Sequence, residues 1–295
     1  MQIRRKGAVY TVNKTVQVIG VPFAAPYPKD ASVRTDLVRH APAALRERGV
    51  LRALQAAGLR VIDAGDLQLP FNPQANSLTD IESSLTQIET GLDLVLSKAS
   101  RILIIGGTCM IAAGTVPALR HRFAQAHLLW IDGHADFATE ASTTSHYLGG
   151  MALSTVVGAN KRAAVIAPAH VTLLGGAGAD WNEIVRLKRY GVRHVYPDEV
   201  VRFAENELPD RDLLVHLDLD ALAAGIMPAV DLTVLPGFSR QQLARVLRAI
   251  ARSGRLRSLE LTSYNPTKDP DGTAVATLIS ILREEVFHHV APVLQ

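Results

Sequence analysis

The chain has 295 residues, of which 48% are hydrophobic, 20% charged and 5% aromatic, a globular balance with length enough for one large core. Its net charge is +3 and its arginines are scattered, so neither nucleic acid nor a membrane surface is an expected partner. The single cysteine, Cys109, excludes an intrachain disulfide framework and suits a reducing compartment, which makes the cytoplasm the expected location.

Basic residues ahead of VQVIGV superficially resemble a secretion signal. The apolar run is short, however, and Pro22 and Pro26 close it, so Val16 to Val21 reads as a first strand. No apolar run reaches the roughly 18 residues that a membrane span needs. The Pro- and Ala-rich loop after the strand is expected to face the active site. Pro42 marks a helix start and Gly49 its stop, and Leu51 to Ala57 is a second short helix ended by Gly58. LRVIDAGD (59–66) is the second strand, and Pro70, Pro73 and Asn76 mark a loop. Ser77 or Thr79 caps a long helix with Ile81, Leu85, Ile88, Leu92 and Leu96 at helical spacing. ILIIGG (102–107) is a buried strand, and GTCMIAAGTVPAL turns from it into a helix. LLWIDGHAD (128–136) is the next strand, followed by a polar loop from Ala138 to Gly150 and a helix. Val171 to Leu174, Val192 to Val195 and Leu213 to Leu219 are further strands separated by helical segments. Ser239 caps a helix through Ile250, RSLELTSYNP holds the last strand, and Asp271 or Thr273 begins the last helix. The alternation predicts one α/β domain over residues 1–295: three αβα layers around a central parallel sheet of about eight strands. Such sheets bind ligands beyond the carboxyl ends of their strands.

Two of those ends are acidic. Asp132, His134 and Asp136 stand at alternate positions, and in extended geometry residues i, i+2 and i+4 point to one side, so they are expected to converge. Hard oxygen ligands with one imidazole suit a divalent cation such as Mn(II). Asp218 and Asp220 sit two apart at the end of another apolar run, where an ordinary buried strand does not place carboxylates. Either group alone reads equally as a cap for the next element. Together they are what a two-metal hydrolytic centre needs, because unpaired anions so close would repel. The glycines of IIGGTCMIAAG fit neither the dinucleotide pattern nor the lysine-ended phosphate loop, which sets a nucleotide-binding reading aside.

With these residues in order, the chain resembles the ureohydrolases, the arginase and agmatinase family. IGG and the turn after it resemble the family's Gly-Gly-Asp-His, DGHAD its Asp-Ala-His-x-Asp, HLDLDAL its Ser-Phe-Asp-Val-Asp, and YNPTKDPDGTA its closing Asn-Pro segment. The resemblance implies an arginase-like fold, two Mn(II) per chain, a metal-bridging hydroxide that attacks a guanidinium carbon, and a homo-oligomer. By position, Asp132 and Asp218 bridge the ions, Cys109 and Asp136 complete the first, and His134 and Asp220 the second.

The departures are informative. Cys109 replaces a histidine ligand, and Thr108 the acid before it. Cys109 is either a small buried core residue or a thiolate ligand that makes the site more negative and favours a softer metal; as a thiol it would leave the first ion loosely held. Gly149 stands where arginases carry a proton-shuttle histidine, and His146 is either a substitute shuttle or a solvated loop histidine. Family asparagines that contact the substrate's amino-acid head fall at Ala138 and Tyr147, whereas Ser145, Asp180 and Glu183 are retained as substrate-binding candidates. Ser263, beside Thr262, replaces the glutamate that grips the guanidinium, so a group less basic than arginine's is expected: an N-hydroxy- or acyl-guanidine, an amidine or a formimino group. The expected activity is metal-dependent hydrolysis of a guanidino- or amidino-type C–N bond. The alternative is an arginase-fold protein that has lost or changed its reaction and acts as a metal-containing binding or regulatory partner.

Overall fold

The computed structural model describes residues 2–5, 8–11, 14–28, 33–96, 101–160 and 162–287. Its strands are β1 (Gln2–Arg5), β2 (Ala8–Thr11), β3 (Thr15–Val21), β4 (Arg60–Asp66), β5 (Arg101–Gly106), β6 (His127–Asp132), β7 (Val171–Gly175), β8 (Arg193–Val195), β9 (Leu213–Asp218) and β10 (Leu256–Thr262). Its α-helices are α1 (Ala41–Glu47), α2 (Val50–Ala56), α3 (Leu78–Val95), α4 (Ala112–Arg122), α5 (Ala152–Val156), α6 (Trp181–Tyr190), α7 (Val200–Asn206), α8 (Arg240–Arg252) and α9 (Thr273–Ile281). β1 and β2 pair with each other antiparallel. The other eight strands form one sheet in the order β4-β3-β5-β10-β9-β6-β7-β8, parallel at every pairing.

Every residue of β5, β6 and β9 is buried, which explains their unbroken apolar runs: a central parallel strand has helices over both faces. One face packs α3, α4 and α5 with Leu187 of α6; the other packs α1, α2, α7, α8 and α9. Among the described residues no helix is long and apolar enough to cross a membrane.

Reciprocal capping pairs start three helices: Ser77 with Asp80 for α3, Asp180 with Glu183 for α6, and Ser239 with Gln242 for α8. The last helix, α9, begins at Thr273, one of the two starts expected from the sequence, and its N-cap is Gly272, at φ 77°. The free N–H groups of Ala274 and Val275 are instead met at 2.9 Å by the buried Asp269 carboxylate. The left-handed turn at Gly272 swings the helix start back over Asp269, a geometry that spacing alone does not reveal.

Candidate metal centre

The sheet order sets β5, β10, β9 and β6 side by side, so Cys109, Ser263, Asp218 and Asp132 meet at their carboxyl ends. Strand alternation does not carry the rest. β6 stops at Asp132; Asp132 Oδ1 accepts the N–H of His134 at 2.7 Å, and Asp136 adopts φ 49°. A strand continued to Asp136 would march away from the sheet, whereas this turn folds back over its own carboxylate. β9 likewise ends at Asp218, whose Oδ1 accepts the N–H of Asp220 at 2.8 Å from a 3-10 turn. The two turns lock together where Gly133 N–H donates to Asp220 Oδ1 at 3.1 Å. A Cβ on Gly133 would lie 2.7 Å from the Asp220 carbonyl oxygen, so only glycine fits.

Four carboxylates therefore share one buried volume, with Asp132, Asp136, Asp218 and Asp220 all under a tenth exposed. Burial, then the charges of Asp136, Asp220 and Asp218, pushes the Asp132 carboxyl well above the usual range. Burial also raises Asp136, against the pull of His134 and with the help of Asp218 and Asp220. Asp218 is pushed up to about 6 by burial and by Asp220. Burial alone would lower His134, but Asp220, 2.9 Å from its Nδ1, lifts it to about 9. Asp136 Oδ2 is buried and has no hydrogen-bond partner among the described residues, an unusual state for a carboxylate oxygen.

On the β5 and β10 side the groups are softer. Cys109 Sγ lies against Asp218 Oδ2, which also accepts the Ser263 hydroxyl at 2.5 Å; Thr262 Oγ1 is 3.4 Å from the sulfur. Burial and the four aspartates hold the thiol well above its ordinary pKa. Thr108 turns away and accepts the N–H of Ala25 at 3.3 Å. Ser263 sits at φ 68° with its N–H on the Gly107 carbonyl.

A cavity of about 240 Å³ opens over this cluster, and Cys109, His134, Asp136, Asp218, Asp220 and Ser263 line its floor. Ser145, Asp180 and Glu183 line its wall. Glu183 is committed twice, accepting the N–H of Phe137 at 3.0 Å and that of Asp180 at 3.1 Å, so it braces the loop after Asp136 as well as α6. His146 is exposed at φ 55° and is not among the lining residues. Its neighbour Tyr147 turns inward instead. A Cβ on Gly149 would meet the Tyr147 ring at 2.4 Å, so that ring fills the space next to Gly149. Tyr147 packs against Tyr27 with ring centroids 5.2 Å apart. Burial, then the charges of Cys109, Asp136 and Asp218, keeps its phenol protonated.

Several residues of the site escape the sequence reading. Trp130 Nε1 donates to Asp132 Oδ2 at 2.8 Å and stacks on His216, whose Nδ1 is 2.7 Å from Glu260 Oε1. Asp231 also lines the cavity, ion-paired to Lys268 at 2.9 Å. The signal for the first three was strand alternation read backwards. Trp130 shares a face with Asp132, His216 with Asp218, and Glu260 with Thr262.

The profile of the Arginase family matches residues 14–287. The chain belongs to the arginase family. It is 31% identical over 216 residues to N(omega)-hydroxy-L-arginine amidinohydrolase of Streptomyces lavendulae, covering 71% of this chain and 76% of that protein. It is 28% identical over 268 residues to arginase of Brucella melitensis, covering 82% of this chain and 88% of the relative. Among solved structures, arginase from Bacillus subtilis superposes with a TM-score of 0.82 at 22% identity, over 95% of this chain and 99% of that one. The arginase-like sheet expected from the sequence is thus the observed one. Four carboxylates buried together, three of them raised in pKa by burial and by neighbouring charges and one with an unpartnered oxygen, also fit a cationic group on their own chemistry.

Proposed function

We propose that this arginase-family chain hydrolyses the C–N bond of a guanidino- or amidino-type small molecule less basic than arginine. The observation that carries the reading is the unpartnered Asp136 Oδ2 on the floor of a cavity of about 240 Å³, beside Ser263. In this reading Asp132 and Asp218, from adjacent strands, would hold divalent cations. His134 and Asp220 would complete one position, an oxygen and imidazole set suited to Mn(II). Cys109 would belong to the other, which Asp136 borders. Bound cations supply an acidified water and a positive anchor for the reacting group.

The chain's own residues do the rest. Asp136 Oδ2 is the free acceptor placed to take the attacking water's proton and pass it to the departing nitrogen. Tyr147, an O–H in the space beside Gly149, donates a hydrogen bond to charge developing above the floor. Ser145, Asp180 and Glu183 take the substrate's polar tail. His146 has no part in the chemistry, being exposed and outside the cavity lining.

Selectivity follows from Ser263. A hydroxyl cannot make the charge-assisted pair that a carboxylate makes with a guanidinium, a difference of roughly 1.5–3 kcal/mol or about ten- to a hundredfold. The relative whose name specifies N-hydroxy-arginine supports a weakly basic substrate. The test is kcat/KM of metal-loaded protein on arginine, N-hydroxyarginine and formimino compounds side by side. A weakly basic compound should lead arginine by at least about tenfold; equal or faster turnover of arginine overturns the selectivity, and no turnover of any overturns the activity.

A further inference from the structure

Behind the cluster lies a buried polar ladder that the proposed reaction does not use. His216 on β9 is register partner to Trp130 on β6 and to Glu260 on β10, and it is 1% exposed. Its ring lies flat on the Trp130 indole, with centroids 3.7 Å apart and planes 12° apart. Its Nδ1 is 2.7 Å from Glu260 Oε1, and Glu260 Oε2 accepts the Thr115 hydroxyl from α4. Both the face and one edge of the imidazole are thereby fixed. The other nitrogen, Nε2, has only the Thr262 hydroxyl at 3.4 Å. A ring nitrogen of His216, Cys109 Sγ and carboxylate oxygens of Asp132 and Asp218 all lie within 4.8 Å of one another, and all four residues are buried. Glu260 occupies Nδ1, so Nε2 is the nitrogen left to bind.

A buried imidazole and a buried carboxylate are costly to place in a sheet, and apolar residues of like volume would serve packing as well. An imidazole whose second nitrogen is held by a carboxylate is the arrangement found behind metal-ligating histidines, where the carboxylate fixes the tautomer and strengthens the ligand. Two atoms sharing one ion at 2.0–2.3 Å are about 3.5 Å apart, so the most distant donors need to close by about an ångström and the Cys109 contact with Asp218 to open by about as much.

We propose that the cation position on the Cys109 side is a mixed-donor site built from Cys109 Sγ, His216 Nε2 and the Asp218 and Asp132 carboxylates, oriented by Glu260, and selective for a borderline-soft ion such as Zn(II). It rests on the reading that the Asp132 and Asp218 cluster binds cations. On binding, the sulfur–metal bond forms as the Cys109 proton passes to solvent, and the Thr262 hydroxyl gives up Nε2. One sulfur, one nitrogen and oxygens in a near-tetrahedral set favour Zn(II) or Co(II) over Mn(II), whereas the His134 and Asp220 position, with oxygen donors and one imidazole, keeps the preference for Mn(II).

The test is cobalt substitution of the metal-free full chain, read by absorption, with zinc-edge X-ray absorption on wild-type protein as a readout that needs no variant. Wild type should show a thiolate-to-cobalt charge-transfer band and strong tetrahedral bands, and its zinc spectrum should fit one sulfur with imidazole. His216→Gln should weaken that position by more than about a hundredfold and Glu260→Gln by about ten- to a hundredfold, while the His134 position still fills. Metal bound without a sulfur band, or with the band intact at full affinity in folded His216→Gln, overturns the inference and leaves the proposed function standing. Failure of the wild type to bind Co(II), Zn(II) or Mn(II) at all overturns both.

Discussion

The two sides of the carboxylate cluster are built differently. Around His134 the groups come from turns, the imidazole is partly exposed, and the hydrogen bonds run between the two turns, His134 to Asp220 and Gly133 to Asp220. Around Cys109 the hydrogen bonds run inward instead, through Thr262, His216 and Glu260 to Thr115. One side is poised to exchange with the cavity; the other is anchored in the sheet. The difference teaches that one acidic cluster can have two unlike sides when two of its carboxylates stand on neighbouring strands.

The largest way to break that contrast is to remove a residue that both sides share. Asp218→Asn should abolish turnover and weaken metal binding at both positions by more than about a hundredfold, measured by metal content after dialysis. Loss at one position alone would mean that Asp218 does not bridge. Next in size is the pH response of metal-free protein. Asp218 is pushed up to about 6 from its ordinary 3.8, and Asp132 and Asp136 are raised well above that ordinary value, so the folded state binds protons more tightly. His134, raised to about 9 from 6.5, favours the protonated folded state likewise. Stability should therefore fall as pH rises from about 4 through 9, and the denaturation midpoint should be lower near pH 8 than near pH 5. Added divalent metal should restore it. A midpoint that rises with pH would contradict the anionic crowding.

Tyr147→Phe should lower kcat by about ten- to a hundredfold with KM within a few-fold, because one donor is lost and the ring still fills the space by Gly149. His146→Ala sets the small end: turnover within about twofold of wild type, as expected of an exposed residue away from reacting groups. A large loss there would return His146 to the proton path.

Much of this molecule was legible in its residues. Apolar runs and capping residues place the sheet and most helices because helix and strand periods are local properties; Ser77 and Ser239 begin their helices as expected, each with a reciprocal cap, whereas Asp180, expected to bind substrate, proves to cap α6 as well. The convergence of Asp132, His134 and Asp136 was expected for the wrong reason. It comes from a turn that closes on Asp132 Oδ1, not from an extended strand. What spacing cannot show is which strands become neighbours. β9 and β10 are neighbours in the sheet although their register partners lie 44 residues apart in the chain, as Leu217 beside Leu261, and only that adjacency puts Glu260 behind His216. Tyr147 was hidden for a similar reason: its inward turn depends on the empty side-chain space at Gly149.

The central claim is that cations hold these strand ends together. Anomalous scattering from crystals of metal-replete protein tests it most directly. Two peaks about 3.5–4 Å apart, each in contact with both Asp132 and Asp218, are the expected result. No peak between those carboxylates, with only water there under saturating metal, would contradict it.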